Sequence, residues 1–98
     1  MSASYKQQMT AVGLTADTLN TDTLDRNDLI RNLTDDAEAV TEEEHGGMKF
    51  LTAQTADGSP TRFIGAQNGY VYLFVFTGSR EDPLFDAVTA LLDRIAFD

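Results

Sequence analysis

Cysteine and tryptophan are missing from these 98 residues, lysine occurs only at positions 6 and 49, and histidine only at position 45. Each scarcity closes a class of chemistry. Without cysteine there is no disulfide, no thiolate nucleophile and no cysteine-held zinc or iron–sulfur centre. With a single imidazole, any histidine-based triad or metal site rests on His45 alone. No G-x-x-x-x-G-K-[ST] or G-x-G-x-x-G run occurs, and Asp25-Arg26-Asn27-Asp28 lacks the glycine of a calcium loop. The opening MSASYKQQMTAVG has no apolar run of the length that a signal peptide or membrane span requires. These absences predict a cytoplasmic, non-enzymatic single domain over residues 1–98, with no cofactor, no metal and no membrane contact.

What is abundant is negative charge. Sixteen acids stand against seven bases, a formal net charge of -9. A field of that sign repels phosphate backbones, so direct nucleic-acid binding is disfavoured. Three uses of the charge stay open. It can be a solubility surface suited to high salt, where self-repulsion is screened. It can dock a basic protein partner. It can also mimic nucleic acid and inhibit a DNA- or RNA-binding protein.

Periodicity orders the chain. Tyr5, Met9 and Val12 share one face of a short helix starting near Ser4 and ended by Gly13. Leu14 to Asp22 reads as a connection. A second helix begins at Asp25, with Leu29, Ile30, Leu33, Ala37 and Val40 on its stripe and Gly46-Gly47 as its stop. Acids near its C-terminal end oppose the helix dipole and predict fraying there. Three strands follow, Met48–Thr55, Pro60–Gln67 and Tyr70–Phe76, joined by turns at Asp57-Gly58 and Asn68-Gly69. A last helix starts at Asp82-Pro83, with Leu84, Val88, Leu91, Leu92 and Ile95 on its stripe. The prediction is an α+β fold of order α-α-β-β-β-α: a three-stranded antiparallel meander with helices packed on one face.

Two-residue turns fix strand register, and register assigns faces. Phe50, Gly65 and Tyr72 fall opposite one another, as do Leu51, Ile64 and Leu73, and Thr52, Phe63 and Phe74. One face then carries Met48, Phe50, Phe63, Tyr70, Tyr72, Phe74 and Phe76. The other carries Leu51, Ala53, Ile64, Ala66, Val71, Leu73 and Val75, with Lys49 and Arg62. Neither suits water, and Tyr70–Phe76 is left as a bare hydrophobic edge. The expected resolution is a homodimer through the sheet. Its interface would use Leu51, Ile64, Val71, Leu73, Val75, Lys49 and Arg62.

Asp35, Asp36, Glu38, Glu42 and Glu43 on the second helix form the candidate acidic surface for a partner. His45 is expected to be exposed and unliganded, and Arg80 to pair with a neighbouring acid. Gly65 leaves a notch between Phe50 and Tyr72, filled by the rings or, in a small-molecule-binding reading, by a ligand. The function these features imply is a small acidic protein–protein interaction module: an adaptor, assembly factor, chaperone or inhibitor. In element order and acidity the chain resembles the type III secretion chaperones, small acidic dimers that bind extended segments. That resemblance implies a chaperone-like role, while the three predicted strands are fewer than that family has.

Overall fold

The hydrophobic run Tyr70–Phe76 lies inside a sheet rather than at its edge. The computed structural model describes residues 3–20, 26–35, 37–55, 60–67 and 69–94. In chain order the elements are α1 (Ala3–Ala11), β1 (Leu14–Asn20), α2 (Arg26–Thr34), β2 (Ala39–His45), β3 (Met48–Gln54), β4 (Thr61–Gln67), β5 (Tyr70–Phe76) and α3 (Phe85–Arg94). The strands form one five-stranded sheet, ordered β1-β5-β4-β3-β2, in which every neighbouring pair is antiparallel. The α+β class therefore holds. The predicted meander is its middle, and a further strand flanks it on each side.

Both added strands have a physical explanation. Leu14–Asn20 reads as a connection because Asp and Asn are poor strand formers. Pairing overrides that preference, since the register sets Leu14 against Phe76 and Ala16 against Phe74. At the other edge, the predicted long helix ends at Thr34, and residues from Ala39 onward turn into β2. Asp35 opposes the helix dipole at that end, and Val40-Thr41 are β-branched. Gly46-Gly47, with φ of 59° and 81°, then makes a two-residue hairpin turn that pairs His45 with Met48. The glycines that looked like a helix stop are a strand reversal.

The central register agrees with expectation: Phe50↔Gly65↔Tyr72, Leu51↔Ile64↔Leu73 and Thr52↔Phe63↔Phe74. The aromatic face forms the main core. Met48, Phe50, Phe63, Phe74 and Phe76 pack there with Met9 and Leu14 and with Phe85, Val88, Leu91 and Leu92. Phe50 meets Phe74 edge-on at 5.9 Å between centroids, and Phe85 lies 5.9 Å from Phe63 and 6.3 Å from Phe76. The Tyr5 hydroxyl donates to the Arg94 carbonyl at 3.0 Å, fastening α1 to the end of α3.

Two expected positions change. Leu84 is exposed, and Phe85 takes its place inside. The Asp82 carboxylate accepts the Leu84 amide at 2.8 Å, so Leu84 sits in the capping turn and the buried stripe starts one residue later. The helices also occupy both faces, not one. β1 and β2 lie at opposite edges of the sheet, so the chain between them must cross a face. It crosses the aliphatic side, where Ile30, Leu33 and Ala37 pack against Ala53, Ile64 and Val71. Asp25, Asp36, Asp57-Gly58, Asn68, Ile95 and the side chain of Leu29 lie outside the described residues. Among the described residues, no helix is long and apolar enough to cross a membrane.

Candidate functional site

The aliphatic face is built row by row from the strand register. One row runs Asp17–Leu73–Ile64–Leu51–Glu42, and the next runs Thr15–Val75–Arg62–Ala53–Val40. Carboxylates therefore stand at both ends of a row whose centre is apolar. Ile64 and Val71 are buried, whereas Leu51, Leu73 and Val75 are only half-buried and Val40 is 45% exposed. Between α2 and the β2–β3 edge an open groove of roughly 320 Å³ remains, lined chiefly by Ile30, Leu51, Ile64, Ala66, Glu42 and Lys49.

The two bases expected on this surface do different things. Lys49 is exposed, and its ammonium lies 3.7 Å from Glu42, a solvated pair of small energetic weight. Arg62 is half-buried and donates to the Leu33 carbonyl at 3.4 Å. A cation at the C-terminal end of α2 meets the negative end of its dipole. Arg62 thus anchors the helix that crosses the face.

The acids do not form the single helical surface expected of them. Asp35 lies exposed in the turn after α2, and Glu38, also exposed, donates its amide to the Gln54 carbonyl where the sheet begins. Glu42 and Glu43 are strand neighbours, so they project to opposite faces. Glu42 shares the aliphatic side with Val40 and Glu44. Glu43 joins the aromatic side.

There Glu43 meets His45, which is buried rather than exposed. The ring Nε2 of His45 lies 3.3 Å from Glu43 Oε2, and Nδ1 lies 2.7 Å from Asp93 Oδ1 on α3. One ring N–H donates in either neutral tautomer, and both donate in the imidazolium. Arg80 donates through Nη2 to Glu43 Oε1 at 2.5 Å and to the Thr41 hydroxyl at 2.6 Å. Its guanidinium carbon lies 5.3 Å from the Phe85 ring centroid. Arg80 thus pairs with an acid 37 positions away rather than with flanking Glu81 or Asp82. Burial raises the Glu43 pKa, but the hydrogen bond and charge of Arg80, with help from His45 and Thr41, outweigh it and hold the carboxyl below the ordinary glutamate range. The network straps edge strand β2 to α3 and the loop before it.

The notch at Gly65 is filled. A Cβ there would lie 2.7 Å from Met48 Cε and 2.8 Å from the Phe50 ring, so the glycine exists to let those side chains cross the strand. Among the described residues, no group of three or more His, Cys, Asp or Glu side chains is arranged to hold a metal ion. Sequence reasoning missed Asp17 and Val40 as parts of the aliphatic face and Asp93 as the partner of His45. The first two were hidden by the unrecognised strands. Asp93 carried no sequence signal.

No protein-family model matches the sequence, no curated protein matches it, and no solved structure matches it. Any functional reading therefore stands on the geometry of this chain.

Proposed function

We propose that this chain is a small acidic protein–protein interaction module that works through the aliphatic face of its sheet. The observation that carries the reading is an asymmetry of cover. Among the described residues, two helices cover most of the aromatic face, leaving Tyr70 exposed and Tyr72 half-buried at its end, while a single nine-residue helix crosses the other and leaves Leu51, Leu73 and Val75 half-buried beside an open groove. Contiguous apolar surface with a polar rim is the usual mark of a protein contact. Binding, not catalysis, is the role proposed.

A homodimer through the same face is the second arrangement, and the half-buried aliphatic residues favour it. It has lost one support, because β5 is paired on both sides and no longer needs an edge partner. It also has to keep the Asp17, Glu42 and Glu44 carboxylates of the two copies apart across a two-fold axis. Nucleic-acid mimicry draws less support. Exposed acids occur on α2, β1, β2 and α3 rather than along one face, which favours plain solubility for much of the charge. A small-molecule site is weakened by the filled notch at Gly65.

Site-specific photo-crosslinking in the producing cells tests the reading. A photoreactive residue at Leu73 is expected to trap a discrete protein, or a second copy, while one at exposed Ala90 on α3 traps neither. Equal yields at the two positions, or none at Leu73, would contradict it.

A further inference from the structure

The groove beside α2 has walls of two kinds. Its apolar lining comes chiefly from Ile30, Leu51, Ile64 and Ala66, and its outer rim from Glu42 of edge strand β2 with Lys49 of β3. On the groove side of β2, the alternate positions Val40, Glu42 and Glu44 are all exposed. Glu38, one residue before the strand and already bonded to Gln54, continues the same alternation. Alternate residues of a strand repeat at roughly 6.7 Å. Acid thus recurs along this side of the edge at Glu38, Glu42 and Glu44, interrupted by one valine, with Glu42 lining the groove itself and the others continuing beyond it. The cation near it is Lys49, paired loosely with Glu42 while both stay mostly exposed.

We propose that this groove seats a basic amphipathic segment of another protein, with apolar side chains on the Leu51–Ile64 floor and Lys or Arg side chains over Glu42 and Glu44. The proposal rests on the interaction-module reading and names its partner. Charge complementarity selects the occupant. A second copy of this chain would bring a net charge of -9 to an edge already lined with carboxylates. A small molecule is poorly served by a groove this open, since ligand sites enclose most of their occupant. An apolar side chain over Ile64 stands two strand spacings, roughly 10 Å, from the Glu42 column. A neighbouring lysine or arginine spans that distance by laying its aliphatic stem across Leu51. The same glutamates keep β2 from pairing with its own copy, because like charges would face one another across the new ladder.

Titrating the isotope-labelled full chain with a short synthetic peptide that alternates lysine and leucine tests this directly. Amide shifts are expected to concentrate at Ile30, Glu42, Lys49, Leu51 and Ala66. Glu42→Gln combined with Glu44→Gln is expected to weaken binding by at least about tenfold while leaving the spectrum folded; tenfold corresponds to about 1.4 kcal/mol. A peptide with glutamate in place of lysine is expected not to bind. If that acidic peptide binds the groove equally well, the surface is a docking site but its partner is not basic. Shifts spread over Asp17, Asp86 and Asp93 as well, and erased by moderate salt, would show bulk electrostatics and overturn the proposal. Failure of both peptides would overturn it too, and the Leu73 crosslinking result would then decide separately whether the face binds protein at all.

Discussion

Leu73 and Phe74 are adjacent in sequence and belong to different interiors. Phe74 is fully buried beneath two helices, whereas Leu73 is half-buried at the margin of one. The same strands supply both faces at alternate positions, so composition alone does not explain the difference. Chain routing does. α1 and α3 dock side by side on the aromatic face and are tied by Tyr5 to Arg94. Among the described residues, the aliphatic face receives only the crossover that links the sheet's two edge strands, with Arg62 holding its end. One side is therefore the main core beneath two helices, and the other holds a smaller buried cluster, Ala53, Ile64 and Val71, whose margin a short helix leaves half-buried. The proposed function uses the second.

Paired substitutions should separate the two faces. The largest effect is expected from Phe63→Ala, which removes a fully buried ring and should cost about 3–5 kcal/mol in chemical denaturation, whereas Leu73→Ala should cost less than about 2 kcal/mol. Equal losses would erase the distinction. Gly65→Ala is expected to destabilise by about 1–3 kcal/mol, because the new methyl overlaps Met48 and Phe50 within the aromatic face. A neutral result would mean that the aromatic core is looser than the packing implies.

Smaller effects probe polar groups on the same side. The Thr52 hydroxyl is buried and has no hydrogen-bond partner among the described residues, so Thr52→Val should raise stability by up to about 1 kcal/mol. Glu43 tests the strap on β2 through pH. Its folded pKa is lowered, so the unfolded chain holds the proton more tightly. The stabilisation is therefore complete above the ordinary glutamate pKa of about 4.3 and fades as pH falls through the lower folded value. Urea midpoints followed across that acid window should fall less steeply in Glu43→Gln than in the unsubstituted chain. Identical slopes would show that the contact with Arg80 contributes nothing.

Much of this fold is legible in the sequence. The positions of Asp57-Gly58 and Asn68-Gly69 in the sequence predict the register found for β3, β4 and β5, and strict alternation divides Tyr70–Phe76 between the two faces as found. The outer strands were not legible, because Leu14–Asn20 is rich in Thr, Asp and Asn and becomes a strand only by pairing with β5. Residues from Ala37 to His45 satisfy a helical stripe as well as a strand alternation. Gly46-Gly47 was the turn signal that arbitrates. The aliphatic residues of the candidate surface could be read from register. Which of them α2 would cover could not, since that depends on where the crossover runs. His45 is buried against the Phe50 and Phe63 rings once β2 sets it on the aromatic face, and its hydrogen-bond partner Asp93 lies 48 positions away, a contact that no local pattern announces.

The central claim is that the half-buried margin of the aliphatic face, beside its small buried cluster of Ala53, Ile64 and Val71, is a working surface. Leu51→Glu, compared with the unsubstituted chain for both thermal melting and lysine–leucine peptide binding, tests it most directly. The account predicts a cooperative melt within a few degrees of the parent, together with loss of peptide binding. An unfolded protein would show that the face is core, and a folded one that still binds the peptide would show that the working surface lies elsewhere.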